Sequence, residues 1–289
     1  MGFTIIDIGH YAENPFSIKY IKSVSDWTYI ILNHSISQVI YELLIYLLVK
    51  YFIYFVEVIN MKITYWSDFA CPYCYIGNTR LKRAIKDLNL DVEFNIRAFE
   101  LDQNAPKDVE STTVERFALK YGLSIDDAKK QVSQISSLGI DEGIDFKYET
   151  TLYTNTRDAH RLMKLAEDRH PEIASDLATL LFDAYFVENL KLADFDVLMK
   201  TGVKAGLKED DIKEVLESDL YDTQVQQDED IAFNGGVHAV PNYLFDGKYS
   251  IPGALSYEDF KSVLSQIVSE NEVDDDKDTD NCADGVCKI

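Results

Sequence analysis

The stretch Ser67-Asp68-Phe69-Ala70-Cys71-Pro72-Tyr73-Cys74-Tyr75-Ile76-Gly77 decides how this chain is read. The apolar segment Ile63 to Trp66 runs into it, and the helically spaced Leu81, Ala84, Ile85 and Leu88 run out of it. Cys71 therefore falls at a strand-to-helix junction, with Pro72 in the first helical position that proline favours. Unpaired N–H groups and the positive end of the helix dipole stabilise an anion at such a place. A thiolate is such an anion, so Cys71 is expected to ionise more easily than a free cysteine. Cys74, one turn on and mostly covered, is placed to attack any disulfide formed on Cys71. Alone, Cys-x-x-Cys is ambiguous between redox work and half of a zinc site. Its position after a strand and at the head of a helix favours redox work. Two inert buried thiols are a poorer reading, because a helix N-terminus at the end of a strand is expected to be exposed.

Working outward, the chain continues at Asp91–Phe99, where Val92, Phe94, Ile96 and Ala98 alternate with Glu93, Asn95 and Arg97 as in a half-buried strand. Strand, helix and strand make a βαβ unit whose strands should be parallel. Residues 111–233 carry helical periodicity instead, with Ser124-x-x-Asp127 as a capping box and helices expected over Thr156–Arg169, Ile173–Val187 and Phe195–Val203. A block of that length is a helical subdomain inserted into the α/β unit, not a loop. The α/β pattern resumes at Gly235-Gly236-Val237-His238-Ala239-Val240-Pro241-Asn242-Tyr243-Leu244-Phe245. Asp246-Gly247 reads as a hairpin turn before Lys248–Ile251. Ser256 with Asp259 then caps a helix with an apolar stripe of Phe260, Val263, Leu264, Ile267 and Val268. The expected fold is α/β and thioredoxin-like, β-α-β then β-β-α over residues 61–110 and 234–269, with residues 111–233 inserted.

Composition narrows the partners. A net charge of −22 argues against nucleic acid or an anionic membrane surface. Four cysteines, as the close pairs Cys71/Cys74 and Cys282/Cys287, are too few for a disulfide scaffold. Residues 1–60 form an N-terminal apolar extension unlike the rest. Glu42, Lys50 and Glu57 break its apolar part into runs of about seven residues, against the roughly 18–20 of a spanning helix. Met61 reads as the functional start, with residues 1–60 an over-extended start or an accessory. The alternative is a membrane anchor through residues 36–60. At the other end, residues 270–289 are an acidic tail around Asp274-Asp275-Asp276, expected to be solvated and mobile. There Asp284-Gly285 favours a turn that brings Cys282 and Cys287 together as a second redox pair. Inert thiols are the competing reading.

Four motifs in this order carry a resemblance. They are Asp68 to Gly77, Asn155-Thr156-Arg157-Asp158-Ala159-His160-Arg161-Leu162, Phe182-Asp183-Ala184-Tyr185-Phe186, and Gly236-Val237-His238-Ala239-Val240-Pro241. Over Met61 to Val268 the chain resembles the DsbA-like branch of the thioredoxin fold. It is most similar to the FrnE group, relatives of 2-hydroxychromene-2-carboxylate isomerase and kappa-class glutathione transferase. The resemblance implies that Val240-Pro241 is a cis peptide packed beside the cysteines, offering Val240 backbone groups to a bound chain. It also implies a substrate-binding side formed by Tyr73, Val240, Asn155 and His160. The isomerase and transferase relatives typically carry serine where this chain has Cys71, so thiol–disulfide exchange is favoured. Ala239, where the family often has glycine, is a departure.

The remaining candidates divide. His160 and Arg161, facing the cleft in the relatives, either orient thiolate or substrate or pack the cleft. His238 either approaches Cys71 or is a loop histidine in solvent, and the second is preferred. A four-cysteine zinc site would pull Cys71 from its helix N-terminus, so no metal and no cofactor are expected. The reading is a cytoplasmic protein disulfide oxidoreductase acting on protein or glutathione disulfides, with Cys71 as nucleophile, Cys74 resolving and Pro241 aligning the substrate. A glutathione-dependent isomerase or transferase of a small aromatic substrate, and a redox-regulated binding module, are the alternatives.

Overall fold

The computed structural model describes residues 41, 44–46 and 61–280 of the chain. Four strands form one mixed sheet in the order β2-β1-β3-β4. Strand β1 (Met61–Ser67) and β2 (Val92–Ala98) are parallel, with Met61 opposite Val92. Strand β3 (Asn242–Phe245) is antiparallel to β1, and β4 (Tyr249–Pro252) is antiparallel to β3. The turn between β3 and β4 is three residues, Asp246, Gly247 and Lys248, one longer than the Asp246-Gly247 pair expected, and Asp246 and Gly247 have positive φ. The βαβ unit is completed by α1 (Pro72–Asp87).

Between β2 and β3 come seven helices: α2 (Thr113–Tyr121), α3 (Ile125–Asp141), α4 (Arg157–Arg169), α5 (Pro171–Phe186), α6 (Phe195–Ala205), α7 (Glu209–Leu216) and α8 (Asp222–Asn234). Local chemistry sets several of their starts. Thr112 and Glu115 form a full capping box on α2, and Asp194 caps α6. Ser124 accepts from the Asp127 amide on α3, but the reciprocal bond back to the Ser124 amide is not made, so the expected box is half formed. Helix α9 (Tyr257–Asp280) closes the fold against α1.

Two expectations about the tail meet different fates. The stretch from Glu270 to Asp280 continues α9 as helix. Glu270 accepts from the Gln266 side chain and from the Tyr249 hydroxyl, and Asn271 donates to Asp246 at 3.1 Å, so the β3–β4 hairpin holds the helix where the acidic stretch begins. Cys282 and Cys287 lie outside the described residues, as does nearly all of the 1–60 extension. Among the described residues no helix is long and apolar enough to cross a membrane.

The inserted helices meet the sheet at β2, whose outer side has no strand partner. Side chains take the place of that strand. Glu167 of α4 accepts from the Ile96 amide at 2.7 Å, and Lys164 donates to the Ile96 carbonyl at 2.8 Å. Asp228 of α8 accepts from the Ala98 amide at 3.0 Å, and Glu229 accepts from the Glu100 amide at 2.9 Å. Alternate residues of a strand present their amides to one side, and from Ile96 to Glu100 each outward amide finds a carboxylate. These carboxylates are matched in turn, Asp228 by Arg97 at 2.5 Å and Lys164 at 2.6 Å.

Candidate active site

Cys71 occupies the N-cap of α1, with extended backbone (φ −92°, ψ 114°) and Pro72 in the first turn. The Cys71 side chain makes no capping hydrogen bond to the first turn; the Cys74 amide donates instead to the Cys71 carbonyl at 3.1 Å, and the positive end of the helix lies at Cys71. The turn before it is fixed by Asp68, whose carbonyl accepts from the Cys71 amide at 3.0 Å. The Asp68 carboxylate accepts from the Ala70 amide at 3.1 Å and the Leu101 amide at 2.7 Å. Both cysteines are free thiols, and both are buried. Cys71 is only 4% exposed, a correction to the expectation that a helix N-terminus at a strand's end stands open. The cover comes from the neighbouring bend: the Cys71 thiol donates to the Val240 carbonyl at 3.6 Å, and Val240-Pro241 is a cis peptide. Burial pushes the Cys74 thiol well above its ordinary value, the Cys71 sulfur adds to the effect, and the Asp68 backbone and Ser67 hydroxyl oppose it. Cys74 therefore holds its proton.

Beneath the pair, α1 comes close to β3 at Gly77, where a Cβ would stand 2.6 Å from the Tyr243 hydroxyl. Tyr243 and Tyr185 are fully buried, with hydroxyls that have no hydrogen-bond partner. Burial raises both, and the Cys74 sulfur adds to the effect on Tyr243. Tyr148 is raised first by burial and then by the Cys71 sulfur.

The other expected site residues are distributed unevenly. Tyr73, between the cysteines, is 42% exposed. His160 is buried against Phe69, with ring centroids 4.9 Å apart and Nε2 3.7 Å from Asp68 Oδ1, so it supports the Cys71 turn from below. Asn155 ties the Glu100–Gln103 segment to the start of α4 and makes no contact with the sulfurs. Arg161, expected to face the cleft, instead donates to the carbonyls of Val215 (2.5 Å), Ser218 and Leu220 (2.9 Å), capping the end of α7. His238 is exposed and packs edge-on against Phe233. Asp68, Tyr148 and Tyr185 escaped the sequence reading as site residues. Asp68 and Tyr185 stand inside quoted motifs, whereas no local pattern marks Tyr148. Among the described residues, no group of three or more histidine, cysteine, aspartate or glutamate side chains is placed to hold a metal.

A mixed four-stranded sheet with a dithiol at the head of its first helix, set against a cis-proline bend, defines a DsbA-like thioredoxin fold. The DSBA-like thioredoxin domain model matches residues 62–265, and the chain belongs to that family. Thiol–disulfide oxidoreduction is the general activity this membership supports. Among solved structures, a probable DsbA oxidoreductase from Streptomyces coelicolor is 29% identical, with a TM-score of 0.68 over 73% of this chain and 91% of that one. A 2-hydroxychromene-2-carboxylate isomerase shares the fold at 15% identity, with a TM-score of 0.56 over 73% of this chain and 98% of its own. The uncharacterized protein YwbO of Bacillus subtilis (strain 168) is 26% identical over 216 residues, 71% of this chain and 96% of its own length.

Proposed function

We propose that the protein exchanges disulfides with polypeptide or glutathione substrates through Cys71 and Cys74. The observation that carries this reading is the asymmetry of the pair. Both thiols are buried, but Cys71 sits at the helix N-terminus against the Val240 carbonyl, while Cys74 lies one turn inside and keeps its proton. In the reducing direction the Cys71 thiolate attacks one sulfur of a substrate disulfide. A mixed disulfide forms, and the other substrate sulfur leaves as a thiolate. Cys74 then loses its proton and attacks the Cys71 sulfur, forming the Cys71–Cys74 disulfide and releasing the second substrate thiol. Two electrons pass from protein to substrate, and the reverse sequence oxidises a substrate dithiol. Once the Cys71 thiol is consumed, the Val240 carbonyl and the Pro241 bend present a backbone edge along which the substrate chain aligns.

The reading places the protein in the cytoplasm, where reduction or isomerisation is the more natural direction. It extends to Cys282 and Cys287 as a second pair that passes electrons to and from the first. Trapping tests it directly. Cys74→Ser should accumulate mixed disulfides on Cys71, visible as reductant-sensitive bands, and Cys71→Ser should accumulate none. Wild-type turnover in Cys74→Ser would instead identify a glutathione-dependent isomerase, which needs no resolving thiol. A Cys282→Ser, Cys287→Ser double variant that keeps the full rate would remove the tail from the scheme.

A further inference from the structure

Next to the Val240 bend lies a cavity of about 240 Å3 that the exchange chemistry does not use. Val240 joins the two, because its carbonyl receives the Cys71 thiol and its side chain packs with Phe99 and Val237 around Trp66. Phe99 and Val237 also wall the cavity, and Phe233 stands over it. Phe233 is 71% exposed, a large aromatic surface at the mouth. Glu100 and Glu229 line the cavity with side chains only 1% and 8% exposed.

At this floor every carboxylate oxygen accepts a hydrogen bond, Glu100 from Asn155 at 3.3 Å and Glu229 from the Glu100 amide at 2.9 Å among them, but cationic charge is short. Arg157 reaches Glu100 at 3.0 Å and Glu229 at 3.5 Å through one nitrogen, while its other two nitrogens are held by Asp222 at 2.8 and 3.0 Å. One guanidinium thus faces three carboxylates. Asp228, next along α8, draws on Arg97 and Lys164, so those cations are already engaged. Gln103 gives Glu229 a neutral donor at 2.7 Å, and exposed His238 closes the rim. Apolar walls above a negative floor suit a side chain with an aliphatic stem and a cationic head. An exposed aromatic face at the entrance adds to the attraction.

We propose that this cavity is a specificity subsite that receives a lysine or arginine side chain flanking the disulfide of a substrate polypeptide. The proposal rests on the disulfide-exchange reading above. The test uses the full chain, reduced and freed of reductant, with two disulfide peptides that differ only by lysine or norleucine beside the reactive cysteine. The second-order rate constant for oxidation of the Cys71/Cys74 pair should be about tenfold larger for the lysine peptide, the scale of a charged hydrogen bond. Glu229→Gln should bring the ratio close to one, and Phe233→Ala, a change at an exposed position, should lower it to about threefold. Glu209→Gln, on the exposed face of α7, is the control for the overall negative charge and should keep the full ratio. Equal rate constants in the wild type, or a ratio lost equally in Glu209→Gln, would overturn the subsite and leave disulfide exchange intact. If neither peptide reacts, the exchange reading fails, and titration calorimetry with serine-for-cysteine versions decides the subsite. There, about tenfold tighter binding of the lysine peptide sustains it and equal affinity overturns it.

Discussion

The outer edge of β2 and the first turn of α1 both bury polar groups, and they handle them in opposite ways. At the edge, every outward amide from Ile96 to Glu100 meets a carboxylate, and Asp228 is matched by Arg97 and Lys164. Around the dithiol, the hydroxyls of Tyr185 and Tyr243 and Nε2 of His160 have no hydrogen-bond partner. A buried charge is tolerated only when paired, whereas a neutral hydroxyl can be left unmatched at a smaller cost. The edge therefore holds the inserted helices to the sheet. The dithiol region leaves neutral tyrosine hydroxyls unmatched beside sulfurs that change charge during exchange.

Removing one member of the paired region should do the most damage. Asp228→Asn leaves Arg97 and Lys164 facing a neutral amide, and a loss of about 3–5 kcal/mol is expected in urea unfolding. A loss under about 1 kcal/mol would mean that the pairing does not hold the helices.

The next effect, smaller, comes from the dithiol side as the pH rises. The folded chain keeps the Cys74 proton beyond the pH at which an unfolded thiol, of pKa about 8.5, releases it. Unfolding above that point releases a proton, so the reduced protein should lose roughly 1.4 kcal/mol of stability per pH unit until Cys74 ionises in place. Burial raises Tyr65, Tyr185 and Tyr243 in the same sense, and they join above about pH 10. Denaturant midpoints at pH 7, 9 and 10 measure the slope, which should be shallower in Cys74→Ala between pH 8.5 and 10. Identical slopes would place the sensitivity elsewhere.

The smallest effect belongs to the unmatched groups themselves. Tyr185→Phe removes a hydroxyl with nothing to bond to, so stability should stay within about 1 kcal/mol of the wild type, if anything higher. A clear destabilisation would show that the hydroxyl has a bonding role, and the contrast between the two regions would weaken.

What the sequence made legible follows the same division. The βαβ unit, the Asp246-Gly247 turn and the Ser256 cap rest on neighbours a few residues apart, and local pattern displays them. The Cys-Pro-Tyr-Cys turn and the Val240-Pro241 bend lie far apart in sequence, and only the resemblance joined them. Arg161 was misplaced because its partners, the carbonyls of Val215, Ser218 and Leu220, belong to a helix end that its own motif cannot reveal. The continuation of α9 past Glu270 was missed for a related reason. Composition there reads as solvated chain, while the contacts of Glu270 and Asn271 with the β3–β4 hairpin decide otherwise. Glu100 and Glu229, 129 residues apart, had no periodicity to connect them.

The side-chain cover on β2 also has a consequence in time. During synthesis β2 emerges long before its cover, because Asp228 follows Ala98 by 130 residues. At roughly 5–20 residues per second, the bare edge waits on the order of ten seconds for α8. Throughout that interval β1, α1 and β2 present an open strand that can pair with any neighbouring chain. Yield from the ribosome, more than stability of the finished molecule, is therefore where slow translation or a shortage of chaperones would be felt first.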